Sequence, residues 1–136
     1  MSDKAVIRVR DVMKTEFDRV DGMATITQAL KKMKHVENKC LIVDKRHDDD
    51  EYGILLLSDI ARKVLAKDMS ADRVNVYEVM AKPVAFVDPE MDIRYCARFL
   101  DHFQLSRVPV IENRGIVGIV SFTDLILKGF CREITD

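Results

Sequence analysis

Apolar positions along this chain fall into two kinds of pattern. Ala29, Leu30, Met33 and Val36 recur at helical spacing, and Cys96, Phe99, Leu100 and Phe103 do the same further on. Elsewhere the apolar residues run on without polar interruption. Cys40 to Val43 and Tyr52 to Leu57 form one such pair of runs, and Val108 to Ile111 and Ile116 to Val120 form another. Their β-branched, continuous character predicts buried strands. Asn113-Arg114-Gly115 predicts the turn of the second hairpin, and the acidic segment Arg46 to Glu51 a longer first one. Short extended pieces, Phe17 to Val20 and Val84 to Val87, precede the two helices. Asp88-Pro89-Glu90 predicts the start of the second helix, with proline early and acid near the positive end. Closing helices are predicted to begin at Ser58-Asp59 and Thr123-Asp124, with the hydroxyl as N-cap and the carboxylate complementing the helix dipole.

The pattern is doubled. Arg10-Asp11-Val12-Met13 recurs as Tyr77-Glu78-Val79-Met80, an offset of 67, and Gly53 to Ile60 recurs as Gly118 to Leu125, an offset of 65. Between these anchors Lys39-Cys40-Leu41-Ile42-Val43 aligns with Arg107-Val108-Pro109-Val110-Ile111. Two copies of one β-α-β-β-α unit follow, residues 9–66 and 76–130, with the polar stretch 67–75 linking them. One such unit buries its sheet poorly, whereas two can pack sheet against sheet with a cleft between them.

Composition narrows the function classes. The 136 residues are 48% hydrophobic and 33% charged, an ordinary globular balance. Lysine and arginine number 22 against 23 acids, so the basic excess of a nucleic-acid coat is missing. The start of the chain carries no apolar signal region, and the strongest apolar run, Ile54 to Leu57, falls far short of the roughly 20 residues a bilayer requires. A cytoplasmic location, without membrane insertion, is the expectation. Cys40, Cys96 and Cys131 lack metal-ligand spacing and read as buried small hydrophobes.

The doubled Asp-Val-Met/Glu-Val-Met start, the Val108-Pro109-Val110 strand and Gly118-Ile119-Val120-Ser121-Phe122-Thr123-Asp124 resemble a tandem pair of cystathionine β-synthase (CBS) domains, a Bateman module. The resemblance covers about residues 9 to 129. It implies an α+β fold of two β-α-β-β-α repeats packed sheet to sheet with pseudo-two-fold symmetry. It also implies that the Gly118–Asp124 segment binds an adenosine nucleotide, AMP, ADP or ATP, as a regulatory ligand. Ser121 and Thr123 offer hydroxyls to phosphate, and free N–H groups at the helix start favour an anion. Asp124, an acceptor only, suits the ribose diol, and Arg107 suits a phosphate through its forked donors. Ile119 and Val84 to Phe86, including Ala85, would line the adenine. The competing reading makes Asp124 a helix cap and Ser121 a strand residue, and the sequence leaves both open.

The first copy is less complete. Ser58 and Asp59 match Thr123 and Asp124, but Leu56 stands in the place of Ser121, and Lys39 aligns with Arg107. One nucleotide per chain, bound mainly at Asp124, is the expectation. The resemblance further implies a homodimer through helices and an output to a separate effector protein. Residues 60–65 and 125–130 are candidates for that interface and equally for core. Two alternatives stand beside the sensor: an interaction scaffold with a vestigial ligand site, favoured by Leu56, and an S-adenosylmethionine binder, against which Arg107 argues.

No other constellation carries chemistry. His47 with Asp48, Asp49, Asp50 and Glu51 lacks the alternation of a calcium loop and reads as a solvated hairpin tip. His35 and His102 have no partner for acid–base work in the sequence. Cys96 sits on an apolar helix face and reads as core, as do Met13, Met33 and Met80. There is no glycine-rich phosphate loop, serine elbow or set of zinc ligands, so neither an enzyme nor an obligatory cofactor is expected.

Overall fold

The computed structural model of the chain describes residues 5–135. Its elements in order are α1 (Val9–Val12), β1 (Arg19–Val20), α2 (Ile26–Lys32), β2 (Cys40–Val43), β3 (Gly53–Leu56), α3 (Leu57–Ile60), α4 (Ile93–His102), β4 (Arg107–Glu112), β5 (Gly115–Ser121), α5 (Phe122–Asp124) and α6 (Cys131–Thr135). A π-helical turn, Ala61–Leu65, extends α3, and another, Leu125–Phe130, joins α5 to α6.

The chain folds as two compact units whose boundaries cut across the sequence repeats. One unit is Glu16–Val84, and the other joins the described residues up to Thr15 to those from Ala85 on. Each copy of the Val-Met segment therefore sits in the unit built from the strands of the other copy.

In the Glu16–Val84 unit the sheet order is β1-β2-β3, with β1 parallel to β2 and β2 antiparallel to β3. Thr25 caps α2 by accepting the Gln28 N–H, while the Gln28 side chain accepts the Thr25 N–H. The helix is shorter than its apolar spacing predicts. It ends at Lys32 because the buried carboxylate of Asp18 takes the N–H groups of Lys34 and His35. Val36, beyond that end, is exposed, as is Leu30 within the helix; Ile26 and Ala29 supply the helix's share of the core, with Leu41, Leu55, Val76 and Val79. The polar stretch 67–75 lies along α2, with Ile26 N–H bonded to the Val74 carbonyl and Thr27 N–H to Ala71.

In the other unit β4 and β5 form an antiparallel hairpin, Arg107 opposite Ser121 and Val110 opposite Gly118. Asn113 and Arg114 both have positive φ, as a two-residue hairpin turn with primed geometry requires. Val87 bridges Val110 in parallel, so the Val84–Val87 piece contributes a bridge where β1 is a strand in the other unit. Asp92, rather than Asp88-Pro89-Glu90, caps α4 by accepting the Arg94 N–H. Asp88 instead closes a turn of its own, taking the N–H groups of Glu90 and Met91. Ile93, Cys96 and Leu100 face the core; Phe99 is half-buried and Phe103 exposed.

The acidic residue of each Val-Met segment has a local task. Asp11 accepts the Arg8 N–H, and Glu78 accepts the Asn75 N–H, closing the turn that each precedes. The methionine and the residue after it then dock on a glycine. A Cβ on Gly118 would lie 2.7 Å from the Lys14 carbonyl oxygen and 2.8 Å from Met13 Sδ. One on Gly53 would lie 3.1 Å from Met80 Sδ and 3.2 Å from the Ala81 carbonyl oxygen. Glycine is present at both places because a backbone bridge, Lys14 to Ile119 or Ala81 to Ile54, passes over it.

Candidate ligand-binding site at the end of the second hairpin

Strand β5 ends in an extended residue, Ser121, after which the chain turns directly into α5. Ser121 is the N-cap, and Thr123, expected in that role, is an exposed residue of the first turn. The Ser121 hydroxyl accepts the Asp124 N–H at 3.3 Å and donates to Asp124 Oδ2 at 3.0 Å, while the Ser121 N–H donates to the same oxygen at 3.0 Å. This reciprocal box fixes the carboxylate, and Asp124 is 2% exposed.

The other carboxylate oxygen is held by cations. Lys14 Nζ donates to Asp124 Oδ1 at 2.6 Å, and Lys128 Nζ lies 3.4 Å from the same oxygen. Lys14 reaches it because its backbone is pinned to Ile119 by two hydrogen bonds, of 2.8 and 2.9 Å, across bare Gly118. A buried carboxylate is tolerable only when paired, and here two ammonium groups compensate one charge. The cluster carries a surplus positive charge.

Arg107 opens β4 directly across from Ser121, at the same end of the hairpin, with its Nε and Nη2 bonded to Ser106 Oγ. The N–H groups expected to be free at the helix start are partly spent: that of Phe122 donates to the Ser106 carbonyl, and that of Asp124 to Ser121. Ile119 is 1% exposed, so its side chain belongs to the core rather than to a ligand wall. Ala85 and Phe86 are exposed, and Val84 closes the other unit. Lys14 and Lys128 were not among the sequence candidates. Lys128 was legible as an i,i+4 partner of Asp124; Lys14 was not, since only the docking over Gly118 brings it there.

The corresponding place in the Glu16–Val84 unit is built differently. Leu56 precedes α3 and gives no side-chain cap, and Ser58, expected to cap, is exposed. Asp59, half-buried, pairs with the exposed Arg62 at 3.0 Å within its own turn. The strand register also corrects the alignment of Lys39 with Arg107. Cys40, buried, faces Leu56 as Arg107 faces Ser121. Lys39 has a left-handed backbone, and its carbonyl accepts the Leu57 N–H, as the Ser106 carbonyl accepts that of Phe122. The counterpart of Lys39 is thus Ser106, and the first copy has no cation in the place of Arg107.

Elsewhere, burial pushes the Cys96 thiol up to about 11, so it stays protonated at neutral pH. His102 stacks edge-on against Phe103, and His35 lies 3.6 Å from Glu37. Among the described residues there is no group of three metal-binding side chains, and no helix is long and apolar enough to cross a membrane.

A family model of the CBS domain matches residues 9–66 and again 76–129. The chain belongs to the CBS domain family. As a pair of CBS domains it falls in a class of regulatory modules. A hexameric CBS-CP12 protein from bloom-forming cyanobacteria is 36% identical and superposes with a TM-score of 0.88, over 94% of this chain and 74% of that one. Hypoxic response protein 1 of Mycobacterium tuberculosis is 28% identical over 85% of this chain and 80% of its own length. Its structure, which holds two coordinated zinc ions, superposes with a TM-score of 0.69, over 88% of this chain and 97% of that one. An uncharacterised protein of Methanopyrus kandleri is 26% identical over 80% of this chain, which spans 57% of that protein's length.

Proposed function

We propose that this CBS pair is a regulatory module that binds AMP, ADP or ATP at Ser121–Asp124, performs no chemistry on it, and passes the bound state to a separate protein. The observation that carries this reading is the surplus cation at Asp124: two lysines on one carboxylate oxygen, with Arg107 at the same end of the hairpin. A ribose diol can take Asp124 Oδ1 in place of the Lys14 ammonium. Lys14, Lys128 and Arg107 then suit the phosphate of the same ligand. Exchange of Lys14 for ribose gives the two states a differential affinity, without which a ligand shifts no equilibrium.

Calorimetric titration with AMP, ADP and ATP, together with thermal unfolding, tests the proposal. The expected result is one site per chain, with native-state stabilisation of about 2.7 kcal/mol at 100 times the dissociation constant. Asp124→Asn abolishes binding in protein confirmed folded by circular dichroism, and Asp59→Asn leaves it intact. Two equal sites, or binding undiminished in Asp124→Asn, would overturn it.

A second observation favours the interaction reading, and with it the homodimer. Phe122, Ile126, Phe130 and Ile134 follow one another at intervals of four along α5, the π turn and α6, and all are exposed, as is Leu127. An apolar stripe of this length on a helical run fits a partner helix, foremost that of a second copy. Sedimentation velocity should give a dimer that dissociates in Ile126→Glu/Phe130→Glu. A monomeric parent chain would sink the homodimer, and failure of every nucleotide to bind that dimer would leave the scaffold reading.

A further inference from the structure

A pocket of about 250 Å³ opens within the Glu16–Val84 unit, at the opposite end of the β2–β3 hairpin from Asp59. Val43, opposite Gly53, lines it, whereas Cys40 and Leu56 form the pair next to α3, three residues or about 10 Å away along the strand. Its walls are Val43, Met80 and Tyr77, with Met23 at the mouth. Tyr77 is 50% exposed and Met23 59%, so the mouth presents apolar surface to water.

Gly22 keeps the pocket open. Its φ is not positive, so the backbone there does not demand glycine. A Cβ on Gly22 would meet Val43 Cγ1 at 3.5 Å and Tyr77 Cβ at 3.8 Å, both ordinary contacts, so no clash demands glycine either. What a side chain at residue 22 would do is occupy the cavity.

The charges at the rim are unequal in their commitments. Lys82 is bonded to Asp50 at 2.8 Å, and Asp44 is bonded to Arg19 at 2.7 Å. Lys82 and the Arg46 N–H hold the Asp50 carboxyl well below the usual carboxylate range, so that pair stays intact near neutrality. The guanidinium of Arg46 makes no ion pair with any described residue. The one uncommitted charge on the lining is thus a forked donor suited to a carboxylate.

We infer that this pocket binds a small aromatic carboxylate, its ring between Val43, Met80 and Tyr77 and its carboxylate on Arg46. The volume is below the usual 300–1,000 Å³ of drug-sized sites, which fits one ring with one substituent. Thioether sulfur beside an aromatic ring adds a favourable contact. The site is independent of Asp124.

The test is an NMR titration of the isotope-labelled full chain with sodium benzoate, and with benzyl alcohol as the neutral counterpart. The amides of Gly22, Val43, Tyr77 and Met80 should shift together, with a dissociation constant on the order of 1 mM for so small a ligand. Gly22→Leu should abolish the shifts while the chain remains folded. Arg46→Gln should weaken benzoate about fivefold, the upper end for an exposed ion pair, and leave benzyl alcohol unchanged. Asp124→Asn should leave benzoate binding as it is, which separates this site from the nucleotide reading. Absence of shifts, shifts that survive Gly22→Leu, or benzyl alcohol binding as tightly as benzoate would each overturn the inference.

Discussion

The two hairpin ends, Leu56–Asp59 and Ser121–Asp124, follow the same order of strand and helix and differ in three places: the residue that ends the strand, the residue docked over the glycine (Ala81 or Lys14), and the residue opposite the strand end (Cys40 or Arg107). Where serine ends the strand, its Oγ and N–H draw the aspartate inward, the carboxylate is buried, and two lysines are recruited to it. Where leucine ends the strand, the aspartate is half-buried and pairs with the next arginine along its own turn. Cap and cation act together here: the serine box turns the carboxylate inward, and the lysine carried over Gly118 compensates its burial.

Removing the carboxylates should break the symmetry most visibly. Asp124→Ala leaves Ser121 and two lysines without their partner and should cost about 2–3 kcal/mol in urea denaturation. Asp59→Ala removes a half-buried carboxylate paired with an exposed arginine and should cost about 0.5–1 kcal/mol. Equal losses would mean that the buried box contributes nothing of its own. The two glycines sharpen the contrast next. Gly118→Ala forces the Lys14 carbonyl, 2.7 Å from the new methyl, to move, and should cost about 2 kcal/mol. Gly53→Ala meets neighbours at 3.1–3.3 Å and should cost about 1 kcal/mol or less.

A smaller effect separates two tasks of Lys14. Lys14→Met should weaken AMP about tenfold, roughly 1.4 kcal/mol, through the lost phosphate contact. It should leave adenosine, which has no phosphate to lose, no weaker than in the parent. Parallel losses for both ligands would show that Lys14 only supports the fold. The smallest expected change lies outside the pair. With an aromatic disulfide reagent at pH 8, half-buried Cys131 should label while Cys96, with its thiol raised to about 11 and fully buried, does not. Rapid labelling of Cys96 would show that the unit opens locally around α4.

Much of the architecture is visible in one dimension. Continuous β-branched runs mark β2 to β5 to within a residue or two, because strand burial on both faces leaves little room for polar residues. The repeat in the Val-Met and glycine segments marks the family. Periodicity alone carries α2 too far, since Met33 and Val36 keep the spacing while Asp18, distant in sequence, ends the helix by taking the N–H groups beyond it. The alignment of Lys39 with Arg107 slipped by one residue for a related reason. A side-chain pattern cannot fix register where both neighbours are apolar, and only the pairing of Cys40 with Leu56 did so.

By itself the sequence determined which residues make strands, that the unit occurs twice, and that Ser121 and Asp124 lie on the same turn. Tertiary structure alone decided that Lys14 meets Asp124 across 110 residues. It also decided that each Val-Met segment serves the strands of the other copy, and that Gly22 leaves a cavity beneath Tyr77. The physical reason is range. Propensity, capping and hydrophobic period act within a turn or a strand, whereas the burial of a charge depends on which distant cation the packed backbone carries to it.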